Sequence, residues 1–345
     1  MRATKDGKSV LLSMRFTKSK NKWELSYDVT GEGCRDPSIV EWGGDQNLLA
    51  MAPCVGGSYD VYESTGAGTD WFGGTPISRV WGTSHDRTGE GVRSGFITAN
   101  IGGTKVMLLT TPVYSEGAGN EKGTGRLHLW VTDNARVHDV GPVSSEGHDA
   151  AASSLLYRRN KEGKEELVLL YEKKNDGDSY SLVALSLTAK LELIKEVVRH
   201  WTALDAALRS CTSRGTVDPL GIKNVCKGPI PTKGLVGFLS SRLTDGTGAG
   251  KVWKDEYLGV NATVKGETVT STGRGVTFKG AGAWAEWPVG SNGQNQPYYF
   301  ANNKFTLVAT VTIHAVPGEA SSPIPLMGVK MNDTDGTALF EVSYT

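Results

Sequence analysis

Residues 61–71 read VYESTGAGTDW, and the reading of this stretch decides the fold. Val61 and Tyr62 belong to a strand, Ser64, Gly68 and Trp71 mark a tight turn, and the chain turns back after it. Gly68 supplies a backbone position with φ > 0 at no steric cost, and Trp71 is large enough to plug the space beneath the turn. A hairpin with a buried tryptophan is the least that this pattern implies.

Working outward, the same grammar recurs on both sides. Short β-type runs separated by Gly, Asp, Asn and Ser turns include SVLLSMRF (9–16), NLLAMAPC (47–54), KVMLLTTPV (105–113), RLHLWVTD (126–133), SSLLYRR (153–159), ELVLLYEK (166–173) and YSLVALSL (180–187). Regular strand–turn spacing without helices predicts an all-β architecture, and a recurring unit of four short strands favours propeller blades. The exception is 190–210, KLELIKEVVRHWTALDAALRS, where Ile194, Val197, Val198, Trp201, Leu204 and Leu208 recur at helical spacing. Thr188 stands where it would cap that helix. A Pro/Gly-rich connection over 211–233 is the expected domain boundary. Strands resume with GLVGFLSS (234–241), GVTFKG (275–280), AWAEWPV (283–289) and TLVATVTIH (306–314), the last expected as a mostly buried strand of a sandwich. The predicted organisation is 1–189, a β-propeller region; 190–232, a linking helix and disulfide loop; and 233–345, an incomplete β-sandwich.

Composition narrows the function. The chain has 345 residues with 37 Lys+Arg against 37 Asp+Glu, so neither nucleic acid nor an anionic membrane is an expected partner. The 44 glycines suit many tight turns. No run of 18 apolar residues offers a transmembrane helix, and the apolar run at the N-terminus is too short for a signal peptide. The 4 cysteines fall as two local pairs, Cys34/Cys54 and Cys211/Cys226, and the 6 histidines show no ligand spacing, so disulfides are expected rather than zinc. A Cys211–Cys226 bridge closes a loop of about 15 residues, worth about 3 kcal/mol in the chain-entropy account. Asn261-Ala-Thr and Asn332-Asp-Thr are glycosylation sequons. Nothing calls for a metal, nucleotide, lipid or other cofactor. Trp71, Trp81 and Trp130 read as blade plugs rather than sugar platforms; Trp253, Trp284 and Trp287 could stack on a sugar face, with core packing the expected role.

Across nearly its whole length the chain resembles the trypanosome trans-sialidase and surface-glycoprotein superfamily. The resemblance runs in order through GCRDPSIVEW (33–42), VYESTGAGTDW (61–71), SRVWG (78–82), RLHLWVTDN (126–134), the 190–211 helix, KGLVGFLSS (233–241), WKDEYLGVNATV (253–264) and NGQNQPYYFANNKFTLVATVTIHAVP (292–317). It implies part of a six-bladed sialidase propeller, a linking helix and part of a concanavalin A-like, lectin-like sandwich, truncated at both ends. It also makes 61–71 a degenerate Asp-box, with Gly66 at the Asp position and Asp70 at the Thr position.

Active members of that family use a tyrosine nucleophile, a Glu base, an arginine triad on the sialic acid carboxylate and an Asp acid. Matched residue by residue, the Glu position holds Asp36, whose carboxylate reaches one methylene less far. The second arginine falls on Pro53, the third on Thr124 with an acceptor-site tryptophan on Lys122, and the tyrosine on Ala152. Proline and threonine offer no guanidinium for a bidentate clamp. Glu172 matches a family Glu that supports an arginine. The resemblance therefore implies a scaffold without turnover, secreted or at the cell surface, that binds host glycans or glycoproteins in adhesion. The alternatives are an active exo-α-sialidase or trans-sialidase with a displaced nucleophile such as Tyr157, and a truncated member with no function of its own.

Overall fold

A computed structural model of the chain describes residues 2–26, 30–44, 46–55, 59–74, 77, 91–114, 124–177, 179–210, 229–245, 251–257, 259–266, 269–272, 275–280, 282–287, 306–315, 318, 323–330 and 337–345. Short strand-forming runs, each stopped by a turn, pair with their sequence neighbours as antiparallel meanders. Two hairpins come first: β1 (Arg2–Lys5) with β2 (Lys8–Leu11), and β3 (Met14–Thr17) with β4 (Lys22–Leu25). The run at 9–16 is thus shared between two hairpins and interrupted at Leu12 and Ser13. Then follow β5 (Ser38–Glu41), β6 (Leu48–Pro53), β7 (Tyr59–Ser64) and β8 (Phe72–Gly73) in one four-stranded sheet. A second four-stranded sheet holds β9 (Gly95–Ile101), β10 (Thr104–Tyr114), β11 (Gly125–Thr132) and β12 (Val137–Pro142). The third has three strands, β13 (Ala150–Arg159), β14 (Glu165–Lys174) and β15 (Tyr180–Ser186).

The sheets stack face to face as propeller blades do. Strand β10 shows why: Val106, Met107, Leu108 and Leu109 are all fully buried, so both faces of the strand are covered. Val106 and Leu108 join one core, with Leu127, Leu129, Leu155, Leu167 and Leu169 of the flanking strands. Met107 and Leu109 point the other way, into a second core with Leu49, Met51, Val61 and Trp130. Period-two alternation along one strand therefore feeds two blade interfaces at once.

Helix α1 (Thr188–Arg209) lays Leu191, Ile194, Val198, Trp201, Leu204 and Leu208 along one buried stripe. The first four belong to the propeller core, while Leu204 and Leu208 pack with Tyr257 and the partly buried Ile230, Leu235 and Phe238 of the second domain. Thr188 does not cap the helix. Leu187 holds the N-cap position without a side-chain bond, because it is itself buried and its N–H is held by Leu167 O at 2.8 Å. The Thr188 hydroxyl instead pairs with Ser186 Oγ at 3.0 Å.

One buried arginine ties the parts together. Arg136, in the β11–β12 turn, bonds Asp133 Oδ2 at 2.6 Å and both carboxylate oxygens of Asp205 on α1 at 3.0 Å. Its guanidinium stacks 5.1 Å from the Trp201 ring and 4.9 Å from the Tyr257 ring. Two carboxylates and two aromatic faces satisfy a charge that would otherwise be costly to bury.

In the second domain, β16 (Leu239–Asp245), β17 (Lys251–Asp255), β18 (Ala262–Lys265) and β21 (Trp284–Glu286) form one sheet, with β19 (Thr270–Thr272) and β20 (Gly275–Thr277), and β22 (Ile324–Lys330) and β23 (Ala338–Tyr344), as hairpins. Among the described residues the chain is thus all-β apart from one α-helix and a short 3-10 turn at Lys18–Lys20: sialidase-type propeller blades, then a lectin-like domain. Two expectations need correction. The 306–314 run forms no strand and is exposed throughout, with Val308 84 % accessible: it pairs with none of the described strands, so its apolar side chains find no sheet face to pack on. Trp284 is also not core: it is 51 % accessible on an outer sheet face. By contrast, Trp253 lies against Phe278 at 6.0 Å, and Trp287 donates from Nε1 to Val260 O at 2.6 Å.

Candidate functional site

The first strands of the three sheets, β5, β9 and β13, lie side by side and are laced together at one end. Ser38 Oγ donates to Ser94 O at 3.0 Å, Ser153 N donates to Arg93 O at 3.0 Å, and Ser153 Oγ accepts from Gly95 N at 3.2 Å. Because neighbouring strands are antiparallel, the start of each first strand shares its end of the blade with the finish of the second. Asp36 precedes β5, Pro53 finishes β6, Thr124 precedes β11, Ala152 lies near the start of β13, and Glu172 lies near the finish of β14. Five positions scattered from 36 to 172 thus meet on one rim.

Each position has a defined local setting. Asp36 is exposed in the left-handed region, φ 47, which aspartate tolerates. A Cys34–Cys54 disulfide and a 3.0 Å bond from Arg35 N to Pro53 O clamp its loop to the end of β6. Pro53 is buried, and Gly91 passes so close that a Cβ there would lie 2.7 Å from Pro53 Cβ. Thr124 is exposed, and next to it Gly125 N donates to Asp149 Oδ1 at 2.8 Å. The β13–β14 register slips between the Ala150–Lys173 and Ser153–Tyr171 pairs, so half-buried Ala152 sits in a bulge across from half-buried Glu172. Lys122, Cys211, Cys226, Asn332 and Trp81 lie outside the described residues. Asn261 is exposed, and its Oδ1 accepts from Asp255 N at 3.0 Å.

The rim therefore carries two carboxylates with a methyl group at one position and a proline ring at another. Three tyrosines stand at this end: Tyr59 Oη donates to Val92 O at 2.9 Å, buried Tyr171 pairs with His148 Nδ1 at 2.8 Å, and half-buried Tyr114 at the finish of β10 lays its ring beside Gly125, near the start of β13. Arg35, Arg93 and Arg126 keep positive charge on this rim. Tyr157 is not part of it. Five residues along β13 from Ala152, it lies about 16 Å away at the opposite blade end, donating to Glu165 Oε1 at 2.7 Å and Asn100 O at 3.1 Å. Burial and the Glu165 carboxylate raise its pKa, which disfavours a phenolate. Tyr157 instead closes a trough of about 360 Å³ along the first strands, lined also by Ile39, Glu41, Ile97, Thr98 and Leu156, with no arginine in its wall.

The 61–71 turn occupies the end opposite the rim, between β7 and β8. Ser64 Oγ accepts from Gly68 N at 3.0 Å, Gly68 has φ 85, and Trp71 is buried beneath. Thr69 Oγ1 donates to Gly66 O at 2.6 Å, and Arg15 Nη1 reaches the same carbonyl at 3.3 Å. A Cβ at position 66 would meet Thr69 Oγ1 at 2.5 Å. The threonine hydroxyl thus occupies the space that an aspartate side chain at 66 would enter.

Blade-type meanders, this turn and a helix-linked second domain match known sequences in the same order. A family model described as a BNR repeat-like domain matches residues 1–172, and the trans-sialidase C-terminal domain matches 231–345. The chain belongs to the sialidase and trans-sialidase family. A Trypanosoma cruzi sialidase is 34 % identical over 351 residues, covering 100 % of this chain and 28 % of its own length. Sialidase 85-1.1 of the same organism is 32 % identical over 328 residues, 94 % of this chain and 39 % of its own. Among solved structures, Trypanosoma rangeli sialidase in complex with sialic acid superposes with a TM-score of 0.77 at 34 % identity, over 98 % of this chain and 50 % of that one. The same sialidase with 2,3-difluorosialic acid, a covalent intermediate, gives 0.77 at 33 % identity. The chain thus spans well under half the length of the curated family members it matches, and half that of the solved ones.

Proposed function

We propose that this chain is a non-hydrolysing member of the family that engages host-cell glycans or glycoproteins at a cell surface or after secretion. The observation that carries the reading is the rim. Ala152 presents a methyl group where family members place the nucleophilic phenol, and Pro53 and Thr124 present no guanidinium where they place the carboxylate clamp. Losing a nucleophile removes transition-state stabilisation that neighbouring carboxylates do not restore. Asp36, Glu172 and the arginines at 35, 93 and 126 leave a polar rim suited to holding an anionic or hydroxylated ligand without breaking it.

A second reading keeps turnover. It is favoured by the family members that carry the name sialidase, by the rangeli enzyme with a covalent intermediate and its mutant displaying trans-sialidase activity, and by the retained carboxylates at 36 and 172. One preparation separates the two. The chain is presented with a fluorogenic sialoside and, in parallel, with immobilised sialylated and desialylated glycoproteins. Retention on the glycoproteins at background hydrolysis is the expected outcome. Hydrolysis that Asp36→Ala abolishes overturns the non-hydrolysing reading.

A further inference from the structure

The second domain carries an exposed tryptophan that packs no core. On the β18–β21 ladder, Lys265 is paired with Trp284 and Thr263 with Glu286. Residues two apart on a strand share a face, so these four side chains form a rectangle on one side of the sheet, about 5 Å across the strands and about 7 Å along them. All four are exposed. The opposite face holds buried Ala262 and Val264, so the core of the domain lies on that side. The outer face, extended by Thr244, is polar apart from Trp284 and half-buried Val252, which sits opposite Thr263. That composition marks a solvent face, not a core surface left bare. Neither Lys265 nor Glu286 forms an ion pair with another described residue.

We propose that this rectangle is a subsite for a neutral pyranose at a glycan terminus. A sugar ring has one face of C–H groups and a rim of hydroxyls. The flat indole of Trp284 covers the former, while the Glu286 carboxylate, the Lys265 ammonium and the Thr263 hydroxyl bond the latter. One cation and one anion leave the patch without net charge, which suits a neutral sugar over a sialic acid or sulfated one. The footprint fits a single ring, and the sheet fixes the backbone of all four groups, so the ordering cost on binding is confined to their side chains. The proposal rests on the reading above only in taking glycans as the ligand class; its site is in the other domain.

The test uses the 345-residue chain on an array of galactose-, N-acetylhexosamine- and mannose-terminated glycans with their sialylated counterparts, alongside Trp284→Ala, Trp284→Phe and Glu286→Gln. Binding of at least one neutral terminus is expected, weakened at least about tenfold by Trp284→Ala and severalfold by Glu286→Gln. Trp284→Phe should recover part of it, and the melting temperatures should stay together. Failure of the parent to bind any neutral glycan overturns the site, as does undiminished binding in Trp284→Ala or in Glu286→Gln together with Trp284→Phe. Binding confined to sialylated glycans and untouched by Trp284→Ala overturns this site while sparing the rim. Neutral-glycan binding lost in Trp284→Ala, with sialoside hydrolysis intact, spares this site and overturns the non-hydrolysing rim.

Discussion

The two ends of the blades have drifted from the family pattern by different rules. At the turn end, Gly66 and Asp70 break the Asp-box, yet the turn stays bonded because Ser64 holds Gly68 and Thr69 holds Gly66. At the rim, Pro53, Thr124 and Ala152 stand where the family resemblance expects functional groups, and the bulge of β13 itself carries a methyl group. Backbone donors beneath a buried tryptophan must be satisfied or the blade weakens, so a change there survives only with compensation. A rim side chain that faces solvent carries no such obligation. The difference marks the turn end as scaffold and the rim as the end whose side chains can vary without weakening the blade.

This contrast breaks if the two ends respond alike to substitution. The largest effect is expected from Trp71→Ala, which leaves a cavity beneath the turn and should cost about 3–5 kcal/mol in denaturant unfolding. Ser64→Ala strands the Gly68 N–H and should cost about 1–3 kcal/mol. A third experiment sharpens the contrast by pH. Glu165, the first residue of β14 at the turn end of its blade, is held at a pKa of about 2 by its bond from Tyr157, with Lys195 and Arg159 adding to it, against an ordinary 4.5. A carboxylate with a depressed folded pKa stabilises above its unfolded pKa and loses that stabilisation as pH falls through the folded value. Glu165→Gln should therefore melt below the parent at neutral pH, and the gap should close between about pH 4.5 and about pH 2 in calorimetry. The smallest effect belongs to the rim: Asp36→Asn, which keeps a residue that tolerates the left-handed backbone, should change stability by less than about 0.5 kcal/mol, with sialoside hydrolysis at background before and after. A rim variant that unfolds the chain as Trp71→Ala does would erase the distinction between the ends.

Much of the architecture was legible because it is local. Alternation and turn residues delimit β6, β10, β11 and β13 to within a residue or three, and the 3.6-residue stripe from Ile194 to Leu208 finds α1. Long-range partners were not legible. TLVATVTIH has the composition of a strand, but composition supplies no partner edge. Thr188 has the chemistry of a cap, but Leu187 reaches the core first. Arg136 carries no motif, since Asp205, Trp201 and Tyr257 lie 65 or more residues away in the chain and only the fold brings them to it. Trp284 looked like core because tryptophan usually is; the β18–β21 register is what turns it outward. The rim positions were legible one at a time by resemblance, and their convergence required the antiparallel order of five strands.

Helix α1 lies with its first half on the propeller and its second half on the lectin-like domain. A pull applied to the second domain therefore reaches the propeller through packed side chains, not through a loose connection. The six buried side chains of the stripe and the Arg136 clamp share that load. A molecule built this way transmits tension between its two domains as a splint does.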